Sequence, residues 1–267
     1  MNHPEAHHTA DVEIDAYLRR IGYVGEPEPS AETLRFLHRA HMFSVPFENL
    51  DIALGRRIVC DEARFLHKIV NERRGGFCYE MNGAFAALLR AMGFQVTLLS
   101  AQVSRSDGSD GPEFDHLTLR IDLDEPWLAD VGFGDSFVEP LRLEPGLEQE
   151  QFGRRYRLTS EGARFCYEMN TEAEWKKQYS FTLQPRRLSE FAGMCHYHQT
   201  SPDSHFTRKQ VCSLATPDGR ITLSNGKLIT TRNGSRDERL LQAEERRLIL
   251  RDRFGVNLPE RDRNLPA

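Results

Sequence analysis

Cys78 lies in Arg73-Arg74-Gly75-Gly76-Phe77-Cys78-Tyr79-Glu80, between a glycine pair and a helical pattern, with His116 and Asp130 downstream at strand-like positions. A thiol is a useful nucleophile only as the thiolate, and partial positive charge at a helix start or a nearby imidazolium favours that form. A histidine within reach takes the thiol proton. A carboxylate on the far side of the ring fixes the imidazole tautomer and stabilises the imidazolium. Cysteine, histidine and aspartate in this order are therefore the materials of an activated thiol nucleophile.

Three elements must bring them together. Met81, Phe85, Leu88, Leu89 and Met92 recur at helical spacing and Gly93 suits a helix end, so the pattern predicts a helix over residues 78 to 92, entered through the Gly75-Gly76 turn. From His116 to Leu123 the period is two, with leucines and isoleucine on one face and His116, Thr118 and Arg120 on the other. Trp127 to Val131 reads as a second strand running into the glycine-punctuated Gly132-Phe133-Gly134 turn. Residue types alone leave the alternatives open: a packed apolar cysteine, a surface histidine and a turn carboxylate.

The chain resembles the arylamine N-acetyltransferases. The resemblance rests on Arg74-Gly75-Gly76-Phe77-Cys78-Tyr79-Glu80, Asp115-His116-Leu117 and Asp130-Val131-Gly132-Phe133-Gly134, with Val45-Pro46-Phe47-Glu48-Asn49-Leu50-Asp51 upstream and Thr200-Ser201-Pro202-Asp203-Ser204-His205-Phe206 downstream. It implies a triad of Cys78, His116 and Asp130, and a ping-pong transfer from acetyl-CoA to an arylamine or hydrazine nitrogen, or to the oxygen of an N-hydroxyarylamine. It further implies Phe47, Val103 and Phe133 as walls of an aromatic acceptor pocket. Tyr197, Ser201 and Ser204 fall at positions matching the coenzyme A cleft, with Asp203 standing where some relatives carry a small hydroxyl residue. An Arg74–Glu48 ion pair ordering the loop before Cys78 is implied as well. A thiol hydrolase or transglutaminase-like enzyme with an amide donor uses the same residue order, and a non-catalytic small-molecule binder could be built on the same scaffold.

The implied fold class is α+β: an N-terminal helical bundle (1–92) ending on the nucleophile helix, a central antiparallel β-barrel (93–185) carrying His116 and Asp130, and a C-terminal α/β lid (186–267), in a papain-like cysteine arrangement. Periodicity agrees in outline. Ile14, Tyr17, Leu18 and Ile21 form one helical stripe, Leu34 and Leu37 another after Ser30, and Phe65, Leu66, Ile69 and Val70 a third. The strand candidates between 94 and 183 are 94–103, 116–123, 127–131, 154–158, 164–169 and 178–183, and the charged stretches 104–111 and 144–151 read as weakly structured insertions. A helix is expected over 187–197, a hairpin at Asn225-Gly226, and, from a Ser235-x-x-Glu238 capping box, a helix through Leu240, Leu241 and Leu248 toward Gly255.

With 35 Lys and Arg against 40 Asp and Glu, the formal charge is −5, without a long basic run. Nucleic acid is thus not the expected partner. Arg73-Arg74 and Arg246-Arg247 read as solvated helix ends. No stretch approaches the ~20 apolar residues of a membrane span, so a cytoplasmic protein with no membrane partner is expected. Five cysteines without paired short spacing argue against a disulfide scaffold, and Cys60, Cys166, Cys195 and Cys212 read as structural. The Cys195-His196-Tyr197-His198 run with His205, and His3, His7 and His8 near the N-terminus, lack zinc-finger spacing, and no metal is expected. No Gly-x-x-x-x-Gly-Lys-Ser or Gly-x-Gly-x-x-Gly element is present to grip a pyrophosphate.

Overall fold

The structure, a computed structural model, describes residues 14–25, 28–171 and 174–259. Expectations about the N-terminal histidines and the tail beyond Pro259 fall outside those residues. Helix α1 covers 14–21 and buries Tyr17 and Ile21. Ser30 starts α2 (Ala31–Ser44) by accepting the Thr33 N–H at 3.1 Å, and Leu34 and Leu37 on that helix are fully buried. Strand β1 (Phe47–Glu48) and the short α3 (Leu50–Ala53) follow. Asp61 caps α4 (Glu62–Leu66), which continues as a π-helical turn, His67–Asn71, carrying Lys68 inward. The fifth helix, α5 (Cys78–Ala91), is buried around most of its circumference, and Gly93 at φ +88° ends it as the sequence requires.

The chain then changes to an eight-stranded antiparallel sheet of order β5-β4-β3-β2-β9-β8-β7-β6, comprising β2 (Gln95–Val103), β3 (His116–Asp122), β4 (Pro126–Ala129), β5 (Leu141–Arg142), β6 (Glu148–Gln151), β7 (Arg154–Glu161), β8 (Arg164–Thr171) and β9 (Glu174–Thr182). Its two edges meet through side-chain amides. Gln149 exchanges two hydrogen bonds with the Arg142 backbone (2.8 and 3.2 Å), and Gln151 accepts from the Val138 and Glu139 N–H groups and donates to Glu139 O. The sheet is thereby nearly closed, around a core that includes Leu99, Leu128, Phe137, Leu158, Tyr167 and Phe181. The segment expected to be a weakly structured insertion at 144–151 thus contains β6. It was missed because Glu-Gln-Glu-Gln has no apolar alternation, its amides making the edge contacts instead.

A second sheet has the order β1-β10-β11-β12-β13, with β10 (Val211–Thr216), β11 (Gly219–Ser224), β12 (Lys227–Arg232) and β13 (Ser235–Leu240). Phe47 pairs with Ser213 and Glu48 with Cys212, so the helical region supplies an edge strand to the C-terminal sheet. Between the sheets, a 3₁₀ turn (Leu188–Phe191) leads into α6 (Ala192–Thr200) and the short α7 (His205–Arg208). The Asn225-Gly226 hairpin forms as expected, both residues at positive φ (44° and 78°). The helix expected from Ser235 does not. Residues 235–240 pair with β12 across the Asn233-Gly234 turn, and α8 (Ala243–Phe254) starts only at Gln242, whose N–H is capped by Glu245 at 3.1 Å. Leu241 is buried, whereas Leu248 is 49% exposed because the inward face of α8 is that of Leu250 and Phe254. No described helix is long and apolar enough to cross a membrane.

Candidate active site

Cys78 is the first residue of α5, and the loop before it is held by close backbone approach. A Cβ on Gly75 would collide with the Pro46 carbonyl, and one on Gly76 would fall 2.6 Å from Glu80 Cβ. Gly75 must be glycine because the loop passes directly beneath the 46–48 segment, where Glu48 N–H donates to Gly76 O at 2.9 Å, and Gly76 because the Glu80 side chain folds back against it. Phe77 has no side-chain cap to offer. Instead Glu80, one turn on, accepts the Phe77 N–H at 3.1 Å.

Glu80 belongs to a buried ionic cluster behind the helix start. Lys68 Nζ lies 2.7 Å from Glu80 and 2.8 Å from Asp51. The Arg74 guanidinium lies 2.6 Å from Glu48 and 3.0 Å from Asp51, so the Arg74–Glu48 pair implied by the resemblance is present. Arg74 itself is 2% exposed and is no solvated helix end. Three carboxylates face two cations here. Burial, reinforced by the neighbouring Glu48 and Asp51 charges against the pull of Lys68, pushes Glu80 up to about 7. A cavity of about 780 Å³ opens against Lys68, Arg74 and Glu80; Cys78, His116 and Asp130 do not line it.

His116 opens β3 and Asp130 directly follows β4, its antiparallel neighbour. Their side chains, 3% and 0% exposed, meet with His116 Nε2 2.6 Å from Asp130 Oδ2, which leaves Nδ1 as the other ring nitrogen. The second carboxylate oxygen accepts from Asn82 Nδ2 (2.8 Å) and from the Gly132 N–H (3.0 Å). Burial by itself would raise the Asp130 carboxyl. The charge of His116 and hydrogen bonds from His116, Asn82 and Gly132 outweigh it and hold the group below its ordinary value. Burial pushes the Cys78 thiol well above its ordinary value, against the opposing influence of the Leu117 and Tyr79 backbone. Desolvation thus outweighs the helix-start field that the sequence suggested would favour the thiolate.

Several positioning groups escaped sequence reasoning. Asn82 also donates to Leu117 O at 2.6 Å and accepts the Val131 N–H at 2.9 Å, tying α5, β3 and the turn after β4 into one unit. Its spacing of four from Cys78, on one helix face, was an available signal. His38 accepts the Asp130 N–H at Nε2 (3.1 Å) and donates from Nδ1 to Val138 O (2.7 Å), and burial lowers it to about 4, so the ring is neutral. Nothing in the sequence links it to a residue 92 positions away. Gly132 packs on the helix start: a Cβ there would be 2.8 Å from Cys78 Cα and 3.0 Å from Cys78 O.

The remaining expected site residues divide. Phe133 stands edge-on to the His116 ring at 5.2 Å and to Tyr179 at 5.0 Å. Val103 pairs in register with Tyr179, whose ring is 5.3 Å from His116. Phe47 is partly buried in a different group, 6.3 Å from Phe206. Tyr197 is 39% exposed. The Ser201 hydroxyl accepts the Asp203 N–H at 3.2 Å. Ser204 is buried and internally engaged, donating to His198 O (3.1 Å) and accepting the Phe206 N–H that starts α7 (3.2 Å). His198 in turn lies 3.1 Å from Asp115, next to His116. Among the described residues, no group of three or more His, Cys, Asp or Glu side chains is arranged to hold a metal.

Known proteins resemble this chain in sequence and in fold. A family model described as N-acetyltransferase matches residues 30–263. An arylamine N-acetyltransferase of Mycolicibacterium smegmatis is 35% identical over 255 residues, covering 92% of this chain and 93% of the relative. An arylamine N-acetyltransferase / N-hydroxyarylamine O-acetyltransferase of Salmonella typhimurium is 34% identical over 250 residues, covering 92% and 89%. Among solved structures, the Salmonella typhimurium enzyme superposes with a TM-score of 0.89 at 32% identity, covering 94% of this chain and 96% of that one. The Mycobacterium marinum arylamine N-acetyltransferase in complex with CoA gives 0.87 at 32% identity, with the same two coverages. Shared along almost the whole chain, in sequence and in fold alike, these likenesses make the protein an acyltransferase of the arylamine N-acetyltransferase family.

Proposed function

We propose that this enzyme moves an acetyl group from acetyl-CoA to the nitrogen of an arylamine or hydrazine, or to the oxygen of an N-hydroxyarylamine, through an acetylated Cys78. The reading rests on one observation above the others: His116 is bound to Asp130 through Nε2 at 2.6 Å, and Gly132, whose N–H donates to the same carboxylate, packs directly on Cys78. His116 Nδ1, the ring nitrogen not bound to Asp130, takes the Cys78 thiol proton. The sulfur then attacks the carbonyl carbon. Asp130 stabilises the imidazolium that forms. The Cys78 N–H, at a helix start where no intrahelical acceptor exists, is placed to bind the oxyanion. Collapse expels the coenzyme A sulfur, which takes the proton back from His116.

In the second half the acceptor nitrogen attacks the acetyl-cysteine, His116 removes its proton, and Cys78 leaves as the thiol. Exchange of one thioester for another is nearly isoenergetic, so the site must lower barriers and keep water off the intermediate. Phe133 and Val103, beside Tyr179, supply the apolar wall for a flat acceptor; Phe47 extends it from the Phe206 side. Tyr197 and Ser201 face the coenzyme, and Ser204 holds the turn that follows Ser201. Initial rates measured against both substrates test this directly. Parallel double-reciprocal lines are expected. Intersecting lines, or turnover with a glutamine amide as donor and none with acetyl-CoA, would contradict it.

A further inference from the structure

The ladder between β2 and β3 ends at the Ala101–His116 pair, so the residues just before His116 are held by side chains and one turn bond rather than by the sheet. Phe114 there has φ +64°, a left-handed conformation that a bulky residue keeps only where its surroundings impose it. Two buried side chains do so from opposite directions. Tyr79, the residue after Cys78, donates its hydroxyl to Phe114 O (2.8 Å) and Asp115 O (3.2 Å). His198 of α6, 8% exposed, brings Nε2 to 3.1 Å from Asp115 Oδ1 and 3.3 Å from Asp115 O. Both of those oxygens accept, so Nε2 carries the proton and donates. The other Asp115 carboxylate oxygen packs on Gly111, where a Cβ would fall 2.5 Å from it. The His198 ring is itself fixed, edge-on to Phe206 at 5.2 Å and with Nδ1 3.3 Å from Ser204 Oγ.

We propose that His198 is a positioning residue for the reaction: by donating to Asp115 it holds the strained Phe114–Asp115 segment in place and so aims the His116 ring at Cys78. The inference rests on the reading of His116 as the base that serves Cys78. If Phe114 relaxes toward negative φ, the peptide leading into His116 turns with it, and the ring must give up one of its two alignments. Its Nε2 end is tied to Asp130 at 2.6 Å, and Asp130 is in turn anchored by Asn82 and Gly132. The Nδ1 end has no such anchor, so the loss falls on proton transfer with Cys78. The same ring also touches, through Ser204, the turn that follows Ser201, and it sits on the helix of Tyr197. One histidine thus holds together the segment assigned to the coenzyme and the residue that precedes the base.

Two substitutions in the full chain separate this role from a general one in packing α6. His198→Gln keeps an amide N–H near the place of Nε2 and can still donate to Asp115, whereas His198→Asn keeps one near the place of Nδ1 and reaches only Ser204. The rate at which iodoacetamide alkylates Cys78, followed on its own peptide by mass, reads removal of the thiol proton and needs no acetyl donor. His198→Asn should lower that rate and kcat about tenfold with little change in KM for acetyl-CoA, and His198→Gln should restore both to within about twofold of wild type. Asp115→Ala, at a more exposed position, should slow Cys78 to the same degree, and adding His198→Asn to it should cost little more. Wild-type rates in His198→Asn, equal losses in both His198 variants, or additive losses in the double variant would overturn the proposal. An unchanged alkylation rate in a His116→Gln control would instead overturn the reading of His116 beneath it.

Discussion

Gly132→Ala perturbs the relation between the helix that carries Cys78 and the turn that carries Asp130 without touching any ionisable group. The added Cβ would lie 2.8 Å from Cys78 Cα and from Asn82 Nδ2, and 3.0 Å from Cys78 O, where ordinary contacts begin at 3.4 Å. Relief therefore requires a separation of about 0.6 Å between the turn and the helix start, and two of the three atoms are backbone that cannot swing aside. Overpacking of this kind costs about 1–3 kcal/mol of stability. Since a misplacement of about 1 Å costs about 10²-fold in rate, roughly a tenfold loss of kcat/KM is expected, or about 1.4 kcal/mol. Urea unfolding and the rate of coenzyme A release measure the two effects separately. Wild-type turnover in a variant of unchanged stability would refute the claim that Gly132 sets the separation of Cys78 from the His116–Asp130 pair.

Asn82→Ala removes three hydrogen bonds and strands the Leu117 carbonyl and Val131 N–H in a fully buried site. At about 1–3 kcal/mol for each of the two orphaned groups, a loss of about 2–6 kcal/mol is expected in denaturant unfolding, with a larger effect on kcat than on KM. Glu80 is held at about 7 against an ordinary 4.5, so its folded form binds the proton more tightly than its unfolded form. Its contribution to stability is complete below 4.5 and is lost as the pH rises through about 7. Glu80→Gln cannot titrate. Relative to wild type it should therefore gain about 2–3 kcal/mol between pH 5 and pH 8, and a pH-independent difference would show that Glu80 is not perturbed. Phe133→Ala deletes the ring that stands against His116 and should raise KM for aromatic acceptors about tenfold with little change for acetyl-CoA; unchanged acceptor selectivity would remove Phe133 from the pocket.

Features set by local chemistry could be read from the sequence. The start of α5 follows from a glycine pair ahead of a helical period, and the hairpin at Asn225-Gly226 from two residues that tolerate positive φ. A local rule misled where two segments compete for it. Ser235-x-x-Glu238 has the form of a capping box, yet the ladder to β12 claims those backbone groups and the cap falls to Gln242 and Glu245. Strand β6 was hidden because its glutamines act as edge ligands of the sheet rather than as one face of an amphipathic strand. The groups that align the site were hidden for another reason. The His38–Asp130 bond and the Lys68–Glu80 bond made from a π-helical turn join positions that only the assembled fold brings together. The pattern places Cys78, His116 and Asp130 on the right kinds of element; packing decides that the thiol is desolvated and which histidine nitrogen meets the carboxylate.

Intact mass of the purified enzyme after mixing with acetyl-CoA and no acceptor, beside a Cys78→Ala control, tests the central claim most directly. A single acetyl group on the wild-type chain, absent from the control and lost on adding an aromatic amine with appearance of the acetylated amine, is the predicted result. An unmodified mass from folded, acetyl-CoA-binding protein, or an adduct that survives in the Cys78→Ala control, would contradict it.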